Sequence, residues 1–368
     1  MDLKKRTALL SKTRGCVLGL LLGDALGGSG GTVPISGAVP ATSAGQLVCF
    51  AIEGLIRFSV RGSHRGISSM PGVVWHAYHR WGALQGVKDI KRWRDREWPD
   101  GWLADLSILG HGRGTAPSIA TVMRGGEMGT VKEPVGTSVD AYGLVLSLPV
   151  GVMSLLRPAM RGEFAADVAA LTHGPEAIEA AHLAGAIVYQ LTEEPEQEQD
   201  VEASQRRARS PASTVDIPAA VRTTLETCAE EAGGAAGQAL EQALAAAASR
   251  PADPAELARL VPDDRAVSAL AGGVYLACSL RDPHGIFEAL LLAASVGQGG
   301  HVARVTGALL GTAYGADLLP ANRIARLELA WVADTLARDL LAERLDSPSG
   351  GEYIDGPDPY WYRRYPGW

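Results

Sequence analysis

The chain has 368 residues, 46 % of them hydrophobic, enough to bury a substantial core as one large helical domain or two ordinary ones. Lys plus Arg total 34 against 41 for Asp plus Glu, a formal charge of −7, which excludes the basic footprint of a nucleic-acid binder and serves solubility instead. Cys16, Cys49, Cys228 and Cys278 lie far apart, with no CxxC pair and no metal-ligand spacing, so buried free thiols in a reducing compartment are expected. The early apolar run from Cys16 to Gly28 is too short to span a bilayer and carries Asp24, while Lys12 and Arg14 break any signal-peptide pattern before it. A cytoplasmic protein with no membrane and no nucleic-acid partner is the expectation.

Apolar residues recur at three- and four-residue spacing through most of the sequence and period-two alternation is scarce, so the predicted class is all-α. A first helix is predicted over about Leu9 to Leu26, with Gly15, Gly19, Gly23 and Gly27 on one face to admit a close neighbour. Gly28 to Gly45 reads as a loop, and Gln46 to Val60 as a helix burying Leu47, Phe50, Leu55 and Phe58. Another helix follows over Ser69 to Gly86. Lys91 to Trp102 then sets charges beside three tryptophans that cover the edge of the core. Gly110 to Ser118, GHGRGTAPS, is either a phosphate-cradling glycine loop or an ordinary surface loop.

Asp140 to Leu156 is apolar and divided by Pro149, and Phe164 to Gln190 is amphipathic with Thr172 before Pro175 and Glu176, implying two packed helices. Residues 193–215 have almost no large apolar side chain and read as a flexible insert. Helices are predicted for Pro218 to Ser249, for a short piece within Pro251 to Asp264, after Ala266, and over Gly285 to Ser295, Val302 to Tyr314 and Arg323 to Arg344. The segment 346–368, ending DGPDPYWYRRYPGW, is expected to lie extended on a body formed by residues 1–345.

Five stretches in order carry a family likeness: GCVLGLLLGDALGG, ATSAGQLVCFAIEGLIR, SVDAYGLVLSLPVG, ALTHGPEAIEAAHLAGAIV and SVGQGGHVARVTGALLGTAYGADLLP. Together they resemble the ADP-ribosylglycohydrolases over about Gly15 to Leu341. The resemblance implies a single compact orthogonal helical bundle with a cleft for ADP-ribose and two magnesium or manganese ions, which orient the ribose and activate a water. Hard divalent ions need several carboxylate or hydroxyl oxygens.

At the family's first metal motif, Thr-Asp-Asp-Thr followed by Gln, this chain has Thr42, Ser43, Ala44 and Gly45 before Gln46. At the second, Gly-Asp-Ser/Thr-Asp-Ser/Thr, it has Gly297, Gln298, Gly299, Gly300 and His301. All four carboxylates are replaced. The family's Gly-Gly-Val-Met-Arg reads Tyr142, Gly143, Leu144, Val145 and Leu146, and its phosphate-loop Gly-Asn pair reads Ala116 and Pro117. Scaffold positions match at Asp24, Ser138, Gly143, Pro149, Thr172, His173, Gly174, Gly307 and Gly311.

The resemblance therefore implies a homologue without the family's two-metal hydrolysis, with no metal and no cofactor. It would bind an ADP-ribose-like or nucleotide-like molecule, or a protein partner, through a remnant cleft. The expected cleft residues are Asp24, Thr42, Ser43, Gln46, Ser138, Asp140, Tyr142, Gln298 and His301. The alternative is a metal-independent enzyme acting on an N-glycoside or nucleotide-like substrate through Asp140, His301 or His173, with Asp140 and His301 as a candidate acid–base pair. Plainer roles are open beside these: hydrogen bonding near a helix end for Asp24, capping for His173, and a neutral pocket wall for His301.

Overall fold

The computed structural model describes residues 1–32, 36–92, 98–153, 158–193, 215–297 and 299–367. Among the described residues there are seventeen α-helices and two short strands, so the all-α class holds. Gln298 and all of the expected flexible insert except Glu193 and Val215 lie outside the described residues.

The organising contact joins helix α1, Leu3–Gly28, to a late helix, Gly299–Tyr314. The α1 helix begins at Asp2, whose Oδ1 accepts from the Lys5 amide at 2.8 Å. Its four spaced glycines meet small residues running in the opposite direction: a Cβ on Gly15, Gly19 or Gly23 would fall about 2 Å from the carbonyl oxygen of Gly311, Gly307 or Ala303, and one on Gly27 2.4 Å from Gly300 Cα. Backbones this close leave room for hydrogen atoms only, which is why the glycines recur every four residues. The other faces of α1 bury Cys16, Val17, Leu20, Leu21 and Leu22 in the main core.

Helix α2, Ser43–Arg65, is capped at its start by Thr42 and stopped by Gly66 in the left-handed conformation, φ 68°. It is long and apolar enough to cross a membrane by composition, yet 89 % of that apolar window is buried inside the protein. It packs on α3, Met70–Leu84. Between them lies a dry ion cluster in which Glu53 accepts from Arg57 at 2.7 Å and from Arg80 at 2.8 Å, and Arg57 reaches Asp100 Oδ1 at 3.2 Å. Two cations thus face two anions, the balance that lets charges stay buried. Gly101, φ +86°, follows Asp100 because a Cβ there would fall 1.7 Å from Arg57 Nη2.

The short helix α4, Pro117–Gly125, follows the glycine-rich loop, and the predicted break at Pro149 separates α5, Tyr142–Ser147, from a 3₁₀ turn over Leu148–Val152. Helices α6, Pro158–Ala170, and α7, Pro175–Thr192, form the expected pair, with Thr172 and His173 in the buried corner between them. The Ala-rich region divides into α8, Ile217–Thr227, α9, Ala229–Ala232, and α10, Ala235–Ser249. Then come α11, Pro254–Leu260, α12, Ala266–Ser279, and α13, Ile286–Ser295, before α14, the Gly299–Tyr314 helix. The predicted helix from Arg323 is two pieces, α15, Ala321–Ile324, and α16, Ala330–Asp346.

The C-terminal segment is more folded than an extended strap. Gly350–Gly351 pairs with Ile354–Asp355 in a tight hairpin, and Trp361–Arg364 forms a final helical turn, α17. Trp361 and Tyr365 are buried, and the Tyr365 hydroxyl and Arg364 both donate to Asp339 on α16, the former at 2.7 Å. Trp102 packs against Tyr365 and Trp331, so of the three early tryptophans it is the one seen at the rim of the core; Trp93 lies outside the described residues.

Candidate ligand cleft

The residues expected to line a cleft meet where the C-terminal end of α1, the N-terminal ends of α2 and α14, and the turn before α5 converge. Asp24 is fully buried one turn from the end of α1. Its Oδ2 accepts from the Thr42 amide at 2.7 Å, and its Oδ1 from the Thr42 hydroxyl at 2.6 Å and from Arg304 Nε at 2.7 Å. Arg304, on α14, also donates from Nη2 to Thr42 Oγ1 at 3.0 Å and from Nη1 to His301 Nδ1 at 3.1 Å. The guanidinium therefore lies across the junction of α1, α2 and α14.

Gly45 makes this arrangement possible, since a Cβ there would fall 2.4 Å from Asp24 Oδ2, whereas one on Gly300 would meet Arg304 Nη1 in ordinary contact at 3.4 Å. Gly45 stands at the last position of the first motif that the resemblance assigns to metal and Gly300 at a carboxylate position of the second, and the Asp24–Arg304 ion pair lies beside both.

Arg304 also decides the state of His301. A guanidinium only donates, so Nδ1 must accept and the remaining proton sits on Nε2. Burial and the neighbouring Arg304 charge hold the imidazole pKa down to about 3 against a partial opposing pull from Asp140, which keeps the ring neutral. Its edge meets the Tyr142 ring at 5.1 Å between centroids. Nε2–H makes no hydrogen bond to any of the described residues.

The opposite wall is the turn before α5. Its backbone is pinned on both sides: the Gly174 amide donates to Ser138 O and the Ala266 amide to Val139 O, each at 2.8 Å. Asp140 Oδ1 then accepts from His173 Nε2 at 2.8 Å and from the Tyr142 amide at 2.9 Å, while Oδ2 takes only the Ser138 hydroxyl at 2.8 Å. Burial pushes this carboxyl up, but the His173 hydrogen bond and charge, the Tyr142 amide and the Ser138 hydroxyl outweigh it, and Asp140 is held well below the usual carboxylate range. Fully buried His173 is steadied by Thr172 Oγ1 at 2.7 Å from Nδ1. Asp140 is thus hydrogen-bonded to His173, and His301 to Arg304.

The glycine-rich loop meets this region through its carbonyls. The Ser43 amide donates to Arg113 O at 2.9 Å, Gln46 Nε2 to His111 O at 2.9 Å, and Ser43 Oγ and the Tyr142 hydroxyl to Thr115 O at 3.1 and 2.8 Å. Trp81 Nε1 fixes the Gln46 amide at 3.2 Å. Asp24, Thr42, Arg304 and His301 therefore form one hydrogen-bonded group and Ser43, Tyr142, Asp140 and Ser138 another, meeting at the Tyr142–His301 ring contact with Gln46 beside them; Arg304 is the member that sequence reasoning passed over. Its signal was its solitude: Arg304 is the one Lys or Arg in an otherwise apolar helix facing α1, where Asp24 is the one charged residue beyond Arg14.

The resemblance implies two divalent ions in this region, and the residues present do not fit them. Among the described residues no three His, Cys, Asp or Glu side chains come together as a ligand set. Asp24, the carboxylate at the junction, already has its oxygens engaged by Thr42 and by a fixed cation. A further doubly charged ion there would face the guanidinium with one carboxylate to neutralise both.

No curated protein sequence matches the chain. Among solved structures, an ADP-ribosylglycohydrolase-related protein complex is similar in fold, with a TM-score of 0.53 and 19 % identity, covering 93 % of this chain and 100 % of that one. The profile of the ADP-ribosylglycohydrolases matches residues 5–349, almost the whole length over which the helices and the cleft are built. By that match the chain belongs to the ADP-ribosylglycohydrolase family.

Proposed function

We propose that this protein binds an ADP-ribose-like nucleotide in the cleft without the family's two-metal hydrolysis, and serves as a binding or regulatory member, acting through that ligand or a protein partner. The observation that carries this reading is the Arg304 guanidinium bonded to Asp24 and Thr42. A positive charge attached to α14 balances the Asp24 carboxylate permanently, in the place a divalent ion would take. It cannot generate hydroxide from bound water, because a guanidinium has no open coordination position and donates hydrogen bonds only. Four unpaired cysteines support a reducing cytoplasm as its location.

Isothermal titration with manganese, magnesium and ADP-ribose tests the reading. The expected result is no saturable metal binding, and ADP-ribose binding that is unchanged by a chelator. Metal-dependent release of ADP-ribose from a modified arginine or serine substrate would overturn it.

A second reading, metal-independent cleavage of an N-glycoside, is favoured by the Asp140–His173 hydrogen bond at the cleft wall. An ionised carboxylate held by a buried imidazole can activate a water for attack at an anomeric carbon. Turnover of a nucleoside or ADP-ribosyl substrate that survives Asp140→Asn and His301→Phe would remove its basis.

A further inference from the structure

The C-terminal segment, residues 347–367, closes over the ends of α2 and α16 at few fixed points. Ser349, Trp361 and Tyr365 are buried, while Tyr353, Ile354 and Tyr360 stand out in solvent. The Glu352 amide donates to Ser63 O on α2 at 3.1 Å, and a Cβ on Gly367 would fall 2.9 Å from the Arg61 amide nitrogen, so the hairpin and the final residues both rest on that helix. A terminal segment anchored so sparsely can open while the body stays folded.

Its remaining anchors are two carboxyl groups one turn apart on α16. Asp339 is balanced, because Arg364 and the Tyr365 hydroxyl both donate to its Oδ2. Glu343 is not. It is 3 % exposed and bonds no cation among the described residues. Its Oε1 accepts from the Ser349 hydroxyl at 2.9 Å, and its Oε2 accepts no hydrogen bond. The Trp361 indole lies near enough to act on this carboxyl, yet its Nε1–H is also without a hydrogen bond. A buried carboxylate requires a cation or several donors, whereas the neutral acid requires fewer, so the closed segment favours the neutral acid.

The surrounding charges do not reverse this preference. Burial raises the Glu343 carboxyl to about 7, against the pull of the Ser349 and Trp361 donors and of Arg344, the next residue of α16. From α2, His64 places Nε2 2.9 Å from Ser349 O and its ring against Tyr362. A ring nitrogen on a carbonyl oxygen carries a proton whether the imidazole is neutral or charged, so that bond survives titration of His64. From the segment itself, Arg364 is bonded to Asp339, and the charge of Asp358 also acts on Asp339.

We propose that residues 347–367 form a pH-sensitive latch, closed over α2 and α16 while Glu343 is neutral and opening as it ionises. Ionisation passes one proton from the Glu343 carboxyl to water and changes no other covalent bond. The acid ionises near 7 in the closed form and near 4.5 once solvated, so closure is strongest below pH 4.5 and weakens as pH rises to 7. Opening uncovers Trp102, which packs on Tyr365, and the α2 backbone at Arg61.

Hydrogen exchange on the full chain, corrected for the intrinsic rate at each pH, tests the latch. The Glu352 amide is the reporter, because its bond to Ser63 O exists only in the closed form. In the wild type the segment is expected to exchange faster than α1 and α14, and its opening to increase about tenfold or more between pH 5 and pH 7.5, a factor of ten being one unit of displaced pKa. Glu343→Gln should keep the segment near its low-pH rate throughout. Exchange of the segment only in step with α1 and α14, or a corrected rate that is the same at both pH values, would overturn the latch. That comparison uses the wild type alone, so it decides the matter even if E343Q does not fold. A folded E343Q whose segment still opens with rising pH would equally overturn the role of Glu343.

Discussion

Replacing Arg304 with methionine isolates the ion pair on which the cleft is built. Side-chain exposure is 7 % for Arg304 and 0 % for Asp24, so solvent does little to screen them. Removing one member of a buried pair typically costs about 3–5 kcal/mol, because the other charge is left in a medium that cannot hydrate it. Asp24 keeps the Thr42 amide and hydroxyl as donors, which argues for the lower end, about 3 kcal/mol. With an unfolding entropy of roughly 2.1 cal/mol/K per residue over the 368 residues, that loss lowers Tm by about 4 °C. The assay is thermal and urea denaturation of R304M, D24N and the double variant. In the double variant both buried charges are gone, so it should recover much of the loss and give a coupling energy near 2 kcal/mol or above, as directly paired residues do. Millimolar manganese should not restore R304M, since a single carboxylate does not hold that ion. If R304M melts with the wild type, or the two single losses simply add, the pair does not hold the junction and the account of the cleft is wrong.

Three further outcomes follow from the structure. Gly307→Ala places a methyl 2.0 Å from the Gly19 carbonyl oxygen, against backbone that cannot turn aside. A loss of about 3 kcal/mol or more is expected in circular-dichroism melts, and an unchanged melt would refute the α1–α14 register. His301 has a folded pKa near 3 against about 6.5 when unfolded, so the unfolded state binds more protons between those values. Its contribution is complete above pH 6.5 and is lost as pH falls towards 3, about 2 kcal/mol by pH 5. His301→Phe should flatten the dependence of the urea midpoint between pH 7.5 and 5, leaving the part due to His76, which burial holds down to about 4; identical slopes would refute the assignment. Glu343 behaves in the opposite sense. Burial raises it to about 7, so its contribution is present below 4.5 and is lost as pH rises through 7. Glu343→Gln should therefore be more stable than the wild type at pH 8, by about 1–3 kcal/mol, and equal to it at pH 4, with melts at the two pH values as the check.

How far the fold can be read in advance depends on whether its determinants are local. The helix from Ser43 to Arg65 is legible because its apolar side, its Thr42 cap and its Gly66 stop are all encoded within the segment. The glycines of α1 imply a close partner but do not say which, since Gly311, Gly307, Ala303 and Gly300 are almost three hundred residues away. The C-terminal segment resists local reading for the same reason. Its hairpin turns at Glu352–Tyr353 and begins from Gly350 with φ +75°, and its final turn is held by Asp339 on another helix, neither of which leaves a periodic trace.

The cleft was legible in what the chain had replaced and illegible in the replacement. The resemblance puts acidic ligands at Thr42–Gly45 and Gly297–His301, where this chain has neutral residues. The compensating residue, Arg304, sits in a stretch whose apolar period reads as core. The fold locates it: Asp24 is the one charge of α1 beyond Arg14 and Arg304 the one Lys or Arg of α14, and the packing of Gly19 on Gly307 and Gly23 on Ala303 brings the two together. A buried charge demands a partner, so each predicts the other. The consequence is chemical as well as structural. A guanidinium supplies fixed positive charge and directed donors whatever the supply of metal, and it sets the His301 tautomer. It supplies no Lewis acidity and no hydroxide, so the chemistry open to this junction differs from that of a metal held by carboxylates.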